Sequence, residues 1–186
     1  VTVSLGNELG RVCVHLGRLA EGAFQASVKL PGTKIRVEES TQQAMDRLLE
    51  EDLLPLMPGM LRRGHDLTVE TKASSKYRVR TKYFKTCFDF SFDEDFQPDV
   101  LAPSLSSPAS VRTAGSNASP PGLDSAYNTE YWSPFGIKSK ANSSQHQHVA
   151  VYAWLTRDEF QRLTRNTDLT ASFLSHWASR LHFAEE

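Results

Sequence analysis

The chain has only two cysteines, almost no net charge and no long apolar run, and each of these absences excludes a class of protein. Cys13 and Cys87 are too few for the disulfide framework of a small secreted domain, and we expect them to be free thiols. The 21 lysines and arginines nearly balance the 22 aspartates and glutamates, which excludes a histone-like nucleic-acid binder but leaves room for a local basic patch. No apolar run approaches about 18 residues, so we predict no membrane span.

Signature motifs of common enzymes and nucleic-acid-binding domains are also missing. The sequence contains no phosphate-binding loop, no Gly-x-Ser-x-Gly turn, no Gly-x-Gly-x-x-Gly fingerprint and no His-Glu-x-x-His pair. It shows no helix-turn-helix, zinc-finger, RRM or KH signature either. We therefore predict a protein that is not an enzyme and holds no cofactor, in an intracellular location, nuclear or cytoplasmic.

What is present fits a globular chain. Of the 186 residues, 39% are hydrophobic and 23% are charged, which excludes wholesale disorder and a coiled coil. A chain of this mass can bury about two-thirds of its surface, which is enough for one core. We therefore predict a single domain over residues 1–186.

The first forty residues follow a period of two, which is typical of half-buried strands. Apolar residues alternate with polar ones in three runs, with glycines between them, and a short fourth segment follows at Ile35 and Val37. The runs are Val1, Val3, Leu5; Val12, Val14, Leu16; and Phe24, Ala26, Val28, Leu30. This pattern predicts an antiparallel meander.

A helix is predicted next. Ser40 and Gln43 have the spacing of a capping box, and apolar residues recur behind them at helical spacing until Pro55 and Pro58 end the pattern. A second β region covers residues 66–96. Its apolar positions change from odd to even numbers, which predicts a β-bulge near 84–87.

The remainder of the chain begins with a segment rich in proline and serine. Residues 97–128 contain almost no large apolar residue, which predicts a long loop or linker inside the domain. Beyond it, alternating residues from Val149 to Leu155 predict a strand, Thr156 and Glu159 form a second capping box, and a final helix starts near Thr167 or Asp168. The fold class predicted is α+β, with a mainly antiparallel sheet covered on one face by helices.

A row of four cations is the sharpest charge feature. Lys76, Arg78, Arg80 and Lys82 share parity, so a strand would present all four on one face of the sheet. Such a row needs an anionic partner, or else neutralisation by the acidic stretches 38–52 and 89–99 of the same chain. The first alternative predicts an interaction surface, and the second predicts a solvated structural face.

We predict from this row a protein-interaction or assembly module of a larger complex. Its partner would be another protein chain with an acidic surface, which the cations would contact. Trp132 and Phe135 would serve as apolar anchors, because aromatic residues dominate interface energetics. A nucleic-acid-binding domain that uses the same row is the alternative.

Two weaker patterns complete the candidates. The pairs Cys13-x-His15 and His146-x-His148 could together supply four zinc ligands, which would allow a zinc-dependent or Cys/His hydrolase as a third hypothesis. Surface histidines are the simpler interpretation, and we assign no metal. The Ser-Pro dipeptides at Ser107, Ser119 and Ser133 are candidate phosphorylation sites whose phosphate could dock on the basic row.

Overall fold

The computed structural model describes residues 1–73, 80–105, 129, 132–138, 148–165 and 167–183. It is an α+β structure with a mixed, mostly antiparallel main sheet. None of the helices in this described part is both long and apolar enough to cross a membrane. The chain divides into two compact units, Val1–Cys13 with Leu30–Pro98, and Val14–Lys29 with Asp99–Glu186. A single domain over 1–186 stays a prediction.

The elements follow one another in chain order. They are β1 (Thr2–Gly6), β2 (Val12–Ala20), β3 (Ala23–Lys29), α1 (Thr41–Asp52), a 3₁₀ helix (Leu54–Gly59), β4 (Met60–Ala73), β5 (Arg80–Phe92), β6 (Pro103–Leu105), β7 (Phe135–Lys138), β8 (Val149–Leu155), α2 (Arg157–Arg165), α3 (Thr167–Ala178) and β9 (Leu181–Phe183).

The predicted meander is confirmed for three strands. β1 pairs antiparallel to β2, and β2 pairs antiparallel to β3. The predicted fourth segment is wrong, because Ile35 and Val37 lie outside any strand and the side chain of Val37 is 93% exposed. Two isolated apolar residues give a strand neither a ladder partner nor a core to face, so the period of two alone was too short a signal here.

In the first unit the strands lie in the order β4-β5-β1. β5 is parallel to β1, with Thr2 opposite Cys87 and Gly6 opposite Ser91. The side chains of Val3 and Leu5 on β1 are fully buried. The core of this unit is therefore built on β1 and on the end of β5 beside it.

The capping box of α1 is confirmed. The Ser40 hydroxyl accepts from the Gln43 amide at 3.2 Å, and the Gln43 side chain accepts from the Ser40 amide at 2.8 Å. Near the helix start, the Arg47 guanidinium donates to both oxygens of Glu39 at 2.7 and 2.9 Å. That bond, with the Arg36 amide, holds the pKa of the Glu39 carboxyl at about 2.

β4 and β5 form a long antiparallel hairpin. Gly64 to Ala73 pair with Asp89 to Arg80 in an unbroken register, so the predicted bulge near 84–87 is wrong. The register shift lies on β4 instead, between Arg62 and Gly64. The change of phase in the sequence has another cause: only the end of β5, from Phe88 onward, has alternate side chains buried in a core.

In the second unit β2 is followed in the sheet by β8 and β7, and β3 pairs with β2. β6 and β9 form a separate two-stranded sheet, with Ser104 opposite His182. Pro103–Leu105, which the sequence assigned to the loop 97–128, is thus a strand at the start of that segment. Residues 106–128 lie outside the described residues.

An aromatic cluster forms part of the core of this unit. The buried indole of Trp132 lies edge-on to Phe173 and Trp177, with ring centroids 6.0 and 5.4 Å apart. Its Nε1 donates to Glu159 Oε1 at 3.2 Å, while the other oxygen of Glu159 accepts from the Thr156 amide and hydroxyl at 2.8 Å. The second predicted capping box therefore also anchors a core tryptophan.

Gly17 on β2 allows a close approach of two strands. A Cβ at this position would lie 2.3 Å from the Gln25 carbonyl oxygen and 2.5 Å from the Phe24 ring. The register between β2 and β3 shifts at this point, between His15 and Gly17. Only glycine fits between these strands without moving β3.

Candidate functional site

The outer half of the β4–β5 hairpin is a two-stranded ribbon, made of Leu67–Ala73 on β4 and Arg80–Thr86 on β5. β1 first pairs with β5 at Cys87, so among the described residues β5 has no strand partner other than β4 along this stretch. Strands of three or more with a shared hydrophobic face are usually needed for independent stability. The stability of the ribbon therefore depends on the inner half of the hairpin, which pairs with β1, rather than on a core of its own.

One face of the ribbon combines cations with exposed apolar side chains, and we call it the cationic face. Arg80, Lys82 and Phe84 alternate on β5, and Val69 and Leu67 lie opposite Phe84 and Thr86 on β4. Phe84 is 68% exposed, Leu67 63% and Val69 51%. Three large apolar side chains thus lie together in solvent beside two exposed cations.

The cationic face continues the buried stripe of the first unit. Phe88, Phe90 and Phe92 share its parity on β5, and all three are buried. At the junction, the guanidinium of Arg62 lies 4.8 Å from the Phe88 ring centroid, and the His65 ring lies 5.6 Å from the same ring. The apolar stripe therefore runs out of the core and onto the exposed ribbon.

The acidic residues of this hairpin lie on the opposite face. Asp66 lies opposite Cys87 and Glu70 opposite Tyr83, and Asp89 has the parity of Tyr83 on β5. All three therefore lie on the other face from Arg80 and Lys82. Within the described ranges, no ion pair involves Arg80 or Lys82. The sequence left open that acidic residues of the same chain neutralise the row. No such pairing involves Arg80 or Lys82, the two row residues that the structure describes.

The acidic stretch 38–52 is partly used elsewhere. Glu39 pairs with Arg47, and Glu51 lies 3.6 Å from Arg47 and 3.7 Å from Arg36.

Two of the four predicted row residues, Lys76 and Arg78, lie outside the described residues.

The predicted aromatic anchors are core residues. The side chain of Trp132 is fully buried, and Phe135 is 7% exposed and stacks on Tyr152 with ring centroids 5.7 Å apart. Neither ring offers surface to a partner, which corrects their predicted role. Aromatic residues contribute strongly to both cores and interfaces, and only the packing of α3 and β8 separates the two cases here.

The candidate zinc ligands do not assemble in the described residues. Cys13 is buried, and burial raises the pKa of its thiol. His15 is buried too, with Nδ1 at 3.1 Å from the Ser27 carbonyl oxygen, and burial lowers its pKa to about 4. His146 lies outside the described residues, and His148 is half-buried. In the described part of the chain, no three metal-ligating side chains lie together.

Both cysteines are free thiols, Cys13 buried and Cys87 half-buried. Of the candidate phosphorylation sites, Ser133 is exposed and has a φ of 44°, an unusual value for a residue other than glycine. Ser107 and Ser119 lie outside the described residues.

Sequence reasoning missed the apolar half of the cationic face. Phe84 has the same parity as Lys82, and the change of phase at this residue was the available signal. We interpreted that change as a bulge, whereas it marks where the hairpin leaves the core.

No family model matches the chain, and no curated protein or solved structure matches it significantly.

Proposed function

We propose that this chain is a non-enzymatic protein-interaction module that binds an acidic protein surface through the cationic face of its β4–β5 ribbon. The observation that carries the proposal is the group of Leu67, Val69 and Phe84, exposed beside Arg80 and Lys82 on a face to which the described part of the hairpin contributes no acidic residue. Exposed apolar clusters rimmed by charge are typical of interaction sites.

The apolar side chains favour a protein partner. Full burial of one such side chain contributes about 1.5–3 kcal/mol, and these three are about 60% exposed on average, so covering them contributes about 3–5 kcal/mol before the cost of association. Cations beside them add attraction for an acidic surface and speed its encounter. Leu67 and Val69 add nothing to the binding of a phosphate backbone, whereas a protein interface uses them directly.

A nucleic-acid-binding domain is the second candidate, and Phe84 is the observation that favours it. An aromatic ring that is 68% exposed on the same face as Lys82 could stack on a base while the cations contact phosphates. This candidate makes no use of Leu67 and Val69, so the two proposals differ in which substitutions they tolerate.

The test compares a ribbon variant with a matched control. The ribbon variant is Lys82→Glu/Phe84→Ser. The control Lys34→Glu/Leu9→Ser makes the same charge reversal and replaces a large apolar side chain by serine, at exposed residues of the same unit. Proteins captured by the wild type and by the control should bind the ribbon variant at least about ten-fold more weakly, a loss of about 1.4 kcal/mol or more. Circular dichroism checks that both variants are folded.

Equal capture by the ribbon variant and the control would refute the proposal. Fluorescence anisotropy with labelled single- and double-stranded oligonucleotides tests the second candidate with the same proteins. Binding that weakens steeply with salt, and that survives Leu67→Ser but not Phe84→Ser, would place nucleic acid first.

Three further expectations accompany this proposal. We infer that helices cover one face of the sheet, that the proline- and serine-rich segment is a linker, and that the module works inside the cell as a subunit of a complex. The clustering of buried residues on one side of α1, at Ala44, Met45, Leu48 and Leu49, supports the first of these.

A further inference from the structure

The ribbon has an open edge on β5. Between Arg80 and Lys85, the backbone of β5 pairs with β4 on one side, and in the described part of the chain no strand lies on the other. The edge closes at Thr86, whose carbonyl oxygen accepts from the Thr2 hydroxyl at 3.5 Å, and at Cys87, where β1 begins. In an antiparallel pair, alternate residues direct both N–H and C=O away from the partner strand. About half of the six residues therefore present unpaired backbone groups to the open side.

The side chains along this edge are all cationic, aromatic or threonine. Arg80, Lys82 and Phe84 lie on the cationic face, while Tyr83 and Lys85 lie on the other. Tyr83 is 51% exposed. No acidic residue occurs on β5 between Arg80 and Lys85, and the acidic residues of the hairpin lie on the face of Tyr83 and Lys85, so the cationic face is the positive side of this edge. Lysine on an edge strand is a common protection against pairing with another copy of the same edge.

We propose that an extended acidic segment of the partner protein adds to this edge as a further strand of the sheet. The inference rests on the proposed function and specifies how the partner is held. Backbone hydrogen bonds to the alternate open groups of β5 would supply affinity, and side-chain alternation would supply selection. Like charges oppose the same edge of a second copy, whereas opposite charges favour an acidic strand.

The order of side chains along β5 also determines which residues the added segment carries on each face. A segment in which acidic and apolar residues alternate places its acidic side chains on the cationic face, beside Arg80 and Lys82, and its apolar side chains on the other face, beside Tyr83. The added strand occupies the position in line with β1, on the same side of β5, and so covers apolar surface that the sheet leaves exposed. A segment of about six residues is long enough, since strands in globular proteins are typically five or six residues long.

The probe is a synthetic peptide of about ten residues in which glutamate and valine alternate, capped at both ends. A peptide of the same composition with all glutamates before all valines is the control. Amide hydrogen exchange of the ¹⁵N-labelled full chain is measured by NMR with each peptide. Strand addition should slow the exchange of alternate amides between Arg80 and Lys85 by about ten-fold or more, and leave those of α1 unchanged.

A charge reversal tests the selection. Lys82→Glu should abolish the protection, whereas Lys34→Glu, which makes the same change at an exposed residue outside the ribbon, should preserve it. Protection that is equal with the block peptide would overturn the inference, because alternation would then play no part.

Failure of this inference differs from failure of the proposed function. If proteins are captured through the cationic face but no β5 amide gains protection with them, the partner docks on side chains alone and strand addition is refuted. If the ribbon variant captures proteins as well as the control does, the proposed function is refuted, and strand addition is refuted with it. Protection by an oligonucleotide instead of the alternating peptide would also overturn the inference.

Discussion

Acidification below neutral pH should destabilise the second unit through one side chain, His15. The imidazole is 4% exposed, and its ring packs edge-on to Tyr152 at a centroid distance of 5.2 Å. Nδ1 lies 3.1 Å from the Ser27 carbonyl oxygen, which can only accept, so the neutral ring carries its proton on Nδ1. Burial lowers the pKa of His15 from 6.5 to about 4, and the nearby cations Lys29 and Arg18 act in the same direction.

The loss of stability follows from the difference between the pKa of His15 in the folded chain and its pKa in the unfolded chain. Above pH 6.5 both states hold the neutral ring, and its contribution to the free energy of unfolding is fully present. As the pH falls toward 4, the unfolded chain gains a proton that the folded chain does not bind, and stability is lost. With about 1.4 kcal/mol for each tenfold change, the loss is about 2 kcal/mol from pH 7 to pH 5 and about 3 kcal/mol near pH 4.

Urea unfolding followed by tryptophan fluorescence measures this loss. All three tryptophans, Trp132, Trp154 and Trp177, belong to the unit that contains His15, so the signal reports on that unit. The perturbation is His15→Gln, which cannot titrate, and the control is His182→Gln, at an exposed histidine of the same unit. The pH dependence of the variant should be smaller than that of the wild type by the amounts above, while the control keeps the full dependence.

Two results would refute this reasoning. One is a slope of stability against pH that is the same in His15→Gln and in the wild type. The other is an NMR titration in which the ring of His15 gains its proton near pH 6.5 in the folded protein, since the ring would then be charged at no cost where the structure buries it.

Three further predictions concern stability at neutral pH, each measured by urea unfolding. Glu159→Ala should cost about 2 kcal/mol, because it removes the carboxylate oxygen that accepts from the buried indole N–H of Trp132, and Glu159→Gln should recover part of the loss. Gly17→Ala should cost about 1–3 kcal/mol, since the new Cβ meets a backbone oxygen that cannot move freely, whereas Gly64→Ala, with open space at its Cβ, should be nearly neutral. Phe84→Ser should change stability by less than about 0.5 kcal/mol, and a large loss would show that this ring belongs to the core.

Local signals in the sequence predicted local structure well. Each capping box depends on two residues three positions apart, and both boxes form as predicted, at Ser40 with Gln43 and at Thr156 with Glu159. The first three strands were predictable for the same reason, since alternation over several residues reflects one buried face. Their antiparallel pairing with one another was predicted as well, whereas the parallel pairing of β1 with β5 was not, because it joins segments about eighty residues apart.

Burial in the second half of the chain was harder to predict. Trp132 belongs to the core because Phe173 and Trp177 of α3 pack against it, and nothing near Trp132 in the sequence shows this. Leu169 has the opposite outcome, since it follows the helical apolar pattern of α3 but is 51% exposed. A periodic pattern predicts a helix, but the residues packed against it determine how wide a stripe of its surface is buried.

The candidate site was predictable in its charge and not in its extent. Alternation placed Arg80 and Lys82 on one face, which the structure shows. Phe84 was assigned to the other side of a bulge, because we assumed that apolar residues of one strand must face one core. The hairpin violates that assumption where it extends beyond β1, and such local violations of patterning are expected at functional sites.

The same cations also oppose pairing of the exposed ribbon with a second copy of itself. A strand edge that carries Phe84 and Tyr83 without charge would readily pair with the identical edge of another copy. Lys82 and its neighbours make that pairing unfavourable, because like charges would then lie directly opposite each other. Selection is a difference between two affinities, and the charges act on both at once, lowering the affinity for a second copy and raising the affinity for an acidic strand. If the proposed function holds, a single row of cations therefore acts twice, against self-association and in favour of an acidic partner.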